Sequence, residues 1–215
     1  MASARSRSSL DVAEISFFSK LRASFLKRRV SLSRKIRFIC GVDASYDEGN
    51  KRVKAVAVLL DRGKSKETAE YQGTFSFPYI SGLFYLHEGP FTVAAVSKLR
   101  ALPDIVCFDA HGAAHPNSRG MASVCGAVLE VPSIGLAKSP LAGNITSYKT
   151  GMDKITHLGR EVGFLTTEMR RRIYWSFGYS VSLNQLEKII ANYGKICEKA
   201  VREAHHLTKM PSHEI

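Results

Sequence analysis

Apolar residues at Val12, Ile15, Phe18, Leu21 and Phe25 recur every three or four positions and predict a helix from Leu10 to about Arg29. Ser9 and Asp11 supply capping chemistry at its start, and Lys27-Arg28-Arg29 gives the basic end that a helix dipole favours. The period then shortens. Ile36 to Asp43 and the valine-rich run Val53 to Leu60 read as strands, joined in a hairpin by the turn Asp47-Glu48-Gly49-Asn50. Thr68 to Phe77 completes a three-strand antiparallel meander. Pro78 to Pro90 is punctuated by proline and glycine and reads as a loop that carries several aromatics. Pro90 can occupy the first turn of a helix running from Phe91 to about Ala101. The apolar end of Leu102–Cys107 predicts a short buried strand leading into Asp109. Met121 to Leu129 is a small-residue helix, and Val131 to Ala137 is a further strand with Lys138 at its end. Gly143 to Gly159 is polar and predicts a surface loop. Glu161–Thr166 and Arg171–Phe177 form a hairpin with a basic turn near Arg170-Arg171-Arg172. Two helices close the chain, Leu183–Asn192 and about Lys195–Lys209. Residues 1–9 read as a disordered basic tail and residues 10–215 as one domain, with no internal repeat.

Composition narrows the class. A chain of 215 residues, 45% hydrophobic and 23% charged, suits one globular domain with a substantial core. The formal net charge of +12 comes from 31 Lys and Arg against 19 Asp and Glu and favours a polyanionic partner such as nucleic acid. Cys40, Cys107, Cys125 and Cys197 form no CxxC pair, so neither a structural zinc site nor a disulfide framework is indicated, and a reducing compartment fits. No apolar run is long enough to span a membrane. The Ser- and Arg-rich start lacks a long apolar stretch, and Asp11 and Glu14 interrupt the acid-poor pattern of a transit peptide. A cytoplasmic monomer is expected.

Three carboxylates stand out by position. Asp43 lies inside or at the end of the first strand, Glu88 precedes the first helix after the meander, and Asp109 ends the next strand. Each alone has an ordinary reading as a helix cap, a salt-bridged turn residue or a dipole partner. Together they could converge at one sheet edge and hold magnesium or manganese, which take hard oxygen ligands. Such a cluster suits metal-assisted attack on a phosphodiester. The order meander, helix, strand points to an α/β, ribonuclease H-like fold, a mixed central sheet flanked by helices.

The residues around these carboxylates resemble a known family. Gly41-Val42-Asp43-Ala44-Ser45-Tyr46, Phe77-Pro78-Tyr79-Ile80-Ser81-Gly82, His87-Glu88-Gly89-Pro90, Phe108-Asp109 through Gly112, Ala114-His115-Pro116 and Ile134-Gly135-Leu136-Ala137-Lys138-Ser139 follow the order and spacing of endonuclease V. The resemblance covers at least residues 37 to 140 and extends less closely to Glu203-Ala204-His205. It implies that Asp43, Glu88 and Asp109 bind Mg2+, with Mn2+ able to substitute. It implies catalytic roles for Lys138 and for His205, with His206 the alternative one residue on. Pro78-Tyr79-Ile80-Ser81 matches the wedge that fills the gap left by an extruded base. Gly82, Phe84, Ala110, Gly112, Met121 and His115 map onto the base-binding site. The implied partner is DNA or RNA containing inosine. The implied reaction is a nick at the second phosphodiester bond 3′ to the lesion, leaving a 5′-phosphate, in the service of DNA repair. An inosine-preferring ribonuclease and a non-cleaving inosine-binding protein are the alternatives. Four positions depart from the family pattern. Ala110 stands where glycine is common, Ser81 where a second proline is usual, Asn117 where arginine is typical, and Val124 where histidine is usual.

Overall fold

Two parallel strands far apart in sequence form the centre of the sheet and fix everything that flanks it. The computed structural model describes residues 10–24, 32, 35–77, 80–168 and 171–210; the expected tail, the basic helix end Lys27-Arg28-Arg29, and Pro78 and Tyr79 lie outside the described residues. The elements run α1 (Val12–Ser24), β1 (Phe38–Asp47), β2 (Arg52–Asp61), β3 (Lys64–Thr74), α2 (Phe84–His87), α3 (Gly89–Ser97) and β4 (Ile105–Phe108). They continue through α4 (Met121–Leu129), β5 (Ser133–Ala137), β6 (Asn144–Lys149), β7 (Met152–His157), β8 (Arg160–Glu168), β9 (Arg171–Phe177) and α5 (Leu183–Thr208).

The sheet order is β3-β2-β1-β4-β5-β9-β8-β7-β6. β1, β4 and β5 pair in parallel, and every other neighbouring pair is antiparallel. This is the mixed central sheet expected from the sequence, with the meander β1–β2–β3 on one side. Ile105, Val106, Cys107 and Phe108 are all fully buried, as parallel strands covered on both faces must be.

Alternate residues feed two cores. Cys40, Val42, Val106 and Phe108 face one side and pack with Phe17 of α1, Phe91 of α3 and Cys125 of α4. Ile39, Ile105, Cys107 and Ile134 face the other and meet Leu186, Ile189, Cys197 and Ala204 of α5. Each fully buried Ile, Leu or Phe contributes roughly 1.5–3 kcal/mol by leaving water. At the start of α1, the Asp11 carboxylate accepts from Ala13 N (2.9 Å) while Glu14 accepts from Asp11 N (2.9 Å), a reciprocal cap. Tyr71 donates to the same Asp11 at 2.7 Å, tying the helix to β3.

Four expectations need correction. The polar stretch 143–159 is not a loop; it forms β6 and β7. β6 is exposed along its whole length, so burial leaves no apolar pattern in it; backbone pairing to β7 defines it, with Tyr148 against Phe164 and Lys149 paired to Glu187. The two closing helices are one: α5 runs 26 residues from a Ser182–Gln185 capping box. Gly194 does not interrupt it, because that turn is held against the Trp175 ring. The loop before Pro90 contains the short helix α2, and the helix that follows ends at Ser97, short of Ala101. Among the described residues no helix is long and apolar enough to cross a membrane.

β1 runs directly beneath α5. A methyl group on Gly41 would lie 2.1 Å from the Ala200 carbonyl carbon and 2.4 Å from Val201 N. Gly41→Ala is expected to push α5 off the sheet and cost about 3 kcal/mol, the upper end of typical overpacking penalties. A drop in the urea midpoint at constant slope would show it. An unchanged midpoint would mean that β1 and α5 do not touch here.

Candidate active site

The parallel register between β1 and β4 pairs Val42 with Phe108. Asp43 and Asp109 are therefore the next residue on each strand, on the face opposite Val42 and Phe108, about one strand spacing of 4.8 Å apart. Asp109 N donates to Val42 O at 3.4 Å, carrying the ladder one step past the strand end. α5 brings His205 onto the same face, where its Nδ1 donates to Asp43 Oδ2 at 2.7 Å. From the end of β5, Lys138 Nζ reaches Asp109 Oδ2 at 2.6 Å. One ligand atom each from Asp43, Asp109 and His205 lies within 4.8 Å of the other two. His206 is exposed on the next position of α5, so the structure turns His205 and not His206 toward Asp43.

Glu88 caps α3 between two short helical segments and is only 6% exposed. It lies outside the group of mutually close ligand atoms, yet it feels both aspartates. Burial pushes its carboxyl well above the usual carboxylate range, and the charges of Asp43 and Asp109 push it further. Burial also raises Asp43; the hydrogen bond from His205 opposes this, and Asp109 adds to it. Two aspartates and an imidazole held this close, with Glu88 buried nearby, make an oxygen-rich donor set that suits a divalent cation.

Beside this cluster lies a cavity of about 380 Å³. Gly82, Phe84, Ala110, His115, Met121, Asp109 and Lys138 line it, in agreement with the motif positions in the sequence. Gly82 sits at φ +81° with nothing within 4 Å of its missing side chain, so the turn presents bare backbone to the cavity. Gly112 is placed elsewhere. It is not among the lining residues; its N–H donates to Ser176 Oγ at 2.7 Å, and a side chain there would strike Phe177 O at 2.3 Å. Its small size serves loop packing. Ile80 is exposed next to the lining residue Ser81, and it too is not among the lining residues. Pro78 and Tyr79, the rest of the expected wedge, lie outside the described residues.

Sequence reading missed Tyr85, His111, Ser139 and Leu141, which also line the cavity. His111 and Ser139 are adjacent to mapped motif residues, and that adjacency was the available signal. His111 Nε2 donates to Ser139 O at 3.0 Å, and burial lowers its pKa. His115 is lowered as well, by burial and by His157. Of the departures, Ala110 lines the cavity, Asn117 is exposed with its N–H donating to His115 Nδ1 at 3.3 Å, and Val124 packs half-buried against the α1–α3–α4 core.

A five-stranded core of order 3-2-1-4-5 with parallel β1, β4 and β5, carrying aspartates side by side on its central strands, defines a ribonuclease H-like protein with an acidic site. Residues 20–206 match the family model for endonuclease V. A relative described as endonuclease V from Sulfolobus acidocaldarius is 34% identical over 200 residues, covering 91% of this chain and 96% of its own. The crystal structure of endonuclease V from Streptomyces avermitilis superposes with a TM-score of 0.74 at 23% identity, covering 95% and 94% of the two chains. That of Ciona intestinalis endonuclease V, in complex with a 24mer DNA containing an inosine followed by a ribo-adenosine, superposes at 0.70 and 19% identity, covering 89% and 93%. The chain belongs to the endonuclease V family, whose members are nucleases.

The Glu88 environment makes a prediction about metal-free protein. A carboxyl raised by folding binds its proton more tightly in the folded state, so folded-state stability falls as pH rises from the ordinary glutamate range toward the raised value. In chelator, Glu88→Gln is expected to melt at higher temperature than the wild type at pH 7, with the difference vanishing in acid. Thermal melts across pH with and without chelator would show this. A variant that melts lower at pH 7 in chelator would mean that Glu88 is not held at a cost.

Proposed function

We propose that this protein is a magnesium-dependent endonuclease that nicks a strand containing inosine at the second phosphodiester bond 3′ to the lesion. The observation that carries the reading is the Asp43–Asp109–His205 cluster, with Lys138 beside it, opening onto a cavity built partly of backbone. Asp43, Asp109 and Glu88 would hold Mg2+, with Mn2+ able to substitute, and His205 completes the site. The bound ion would supply Lewis-acid activation of water and of the phosphate oxygens.

The chain's own residues do the rest. His205, donating to Asp43, orients that carboxylate and offsets part of its charge. Lys138 neutralises Asp109 in the free protein and is placed to turn to a scissile phosphate when one arrives. There its ammonium stabilises the charge that builds on the phosphoryl oxygens in the transition state. A flipped base enters the cavity between Gly82, Phe84, Ala110 and Met121, with His115 on its wall. Inosine presents a carbonyl and a ring N–H where adenosine presents an amine and a bare nitrogen. Backbone groups arranged for the first pattern leave buried polar atoms unpaired with the second. Pro78, Tyr79 and Ile80 act as the wedge.

DNA repair is the role that follows for a DNA substrate. The ribo-adenosine after the inosine in the Ciona complex favours testing RNA equally. The four cysteines are free and buried, which fits a reducing cytoplasm, and we expect the protein to work as a monomer.

The test is a nicking assay on end-labelled DNA and RNA strands carrying one inosine, with magnesium or with chelator. Cuts at the second bond 3′ to inosine that need magnesium are expected; tight binding without cutting would leave a binding protein instead. Asp43→Ala and Asp109→Asn are expected to abolish cleavage while binding persists, and Lys138→Ala to slow it by about 10²–10³. Wild-type rates in either aspartate variant would remove the metal assignment. Ala110→Gly should change the ratio of inosine cleavage to that of other deaminated bases more than it changes the maximal rate. An unchanged ratio would show that Ala110 does not shape the base site.

A further inference from the structure

We propose that a second cavity, on the α5 face of the sheet, holds the backbone of the strand beyond the scissile bond, with Arg171 and Arg202 as its phosphate ligands. The inference rests on the endonuclease reading and gives it a direction. The cavity has a volume of about 300 Å³, and Asp109, Ala137 and Lys138 line both it and the base cavity. Beyond those shared residues, the base cavity is walled by the α2 and α4 side of the sheet. The second is walled by α5 and β9 and includes His205. Asp109 and Lys138 thus stand on a crest shared by the two hollows.

A strand with one base in the first hollow that continues past Asp109 and Lys138 reaches the second. The second hollow offers an apolar floor of Leu136, Ile173 and Val201 with cations above it. Arg202 precedes His205 by three positions on α5, so both side chains point to the same side of the helix. Arg171 begins β9, the antiparallel neighbour of β5. Sugar over the floor and phosphate against the guanidinium groups is the arrangement that such a lining suits, since guanidinium forks match phosphate oxygens.

An internal anion already occupies part of this position. Arg171 Nη2 lies 3.5 Å from Glu198 Oε2, and Glu198 is one turn from Arg202 on α5. Burial raises the Glu198 carboxyl despite both arginines, so it is a poorly solvated partner that a phosphate can replace. If the lesion lies on the 5′ side of the cut, the second hollow takes the 3′ side.

The experiment is a neutral-phosphate scan. A single methylphosphonate is placed at each phosphate in turn, from two before to four beyond the inosine, and binding is measured in chelator. Wild type is expected to lose about three- to tenfold at one or two phosphates just beyond the scissile bond and little elsewhere. Arg171→Ala and Arg202→Ala should cost a similar factor on the unmodified strand. They should make the same methylphosphonates nearly harmless, because both changes delete one interaction. The slope of log affinity against log salt should fall by about 0.7 for each phosphate that is no longer neutralised. Glu198→Gln should tighten binding, while Glu161→Gln, an equal charge change in the exposed Lys154–Glu161 pair, should not.

Strictly additive losses, coupling on the 5′ side of the inosine, or equal effects of Glu198→Gln and Glu161→Gln would each overturn the proposal. Failure of the parent reading looks different: wild type would show no preference for inosine over adenosine strands and no magnesium-dependent cut, and both readings would fall.

Discussion

Parallel pairing of β1 with β4 forces two carboxylates into one strand spacing, and much of the molecule is arranged around that repulsion. Two like charges about 4.8 Å apart repel by on the order of 3–4 kcal/mol at the effective dielectric of 20 that suits protein sites. The register cannot relax by one residue. A slip would turn Val42 and Phe108 out of a fully buried face along with every alternate residue of both strands. The strain must therefore be met by charge. His205 comes from α5 to Asp43 and Lys138 from β5 to Asp109, each at hydrogen-bonding distance. Glu88 is buried beside them, and burial together with both aspartate charges pushes its carboxyl well above the usual range. A divalent cation bound here, as proposed, would offset the repulsion between Asp43 and Asp109.

This dependence explains why α5 is a single long helix. Its buried face runs from Leu186 through Cys197 to Ala204 along the sheet. A break near Gly194 would uncouple the direction of the last turns of α5 from the packing of the first ones. His205 would then lose its fixed phase relative to Asp43. Gly194 carries no side chain against Trp175, and Gly41 lets Ala200 press on β1. Two glycines thus favour continuity and close approach where the sequence pattern alone reads a break.

What was legible in the sequence follows the same division. Strands buried on both faces, such as Ile105–Phe108, announce themselves as apolar runs, and the acids at their ends are readable because a carboxylate there is exceptional. The sheet extension β6–β7 was not legible. β6 is exposed on every residue, and backbone pairing leaves no trace in composition when neither face is buried. Motif spacing located Asp43, Glu88, Asp109, Lys138 and the cavity residues. It could not separate glycines that face the cavity from glycines that pack the loop. Gly82 does the first and Gly112 the second, and the difference lies in what each missing side chain would touch. Arg171 and Arg202 were invisible as a pair, since only the meeting of β9 with α5 brings them together.

The charge distribution separates capture from chemistry. A net charge of +12 draws a polyanion from a distance, although the place proposed for the phosphate is flanked by Asp43 and Asp109. Without a cation those acids repel it, and Lys138 and His205 are the groups that answer them locally. On the proposed reading the strand is also held away from the crest, by the base cavity and by Arg171 and Arg202. On the proposed reading, affinity comes mainly from the two hollows and turnover from the crest. In such an arrangement loss of an aspartate removes repulsion as well as catalysis, so binding need not weaken when cleavage stops. The same logic would make metal the gate: an ion held by these acids would turn a point that repels phosphate into one that polarises it.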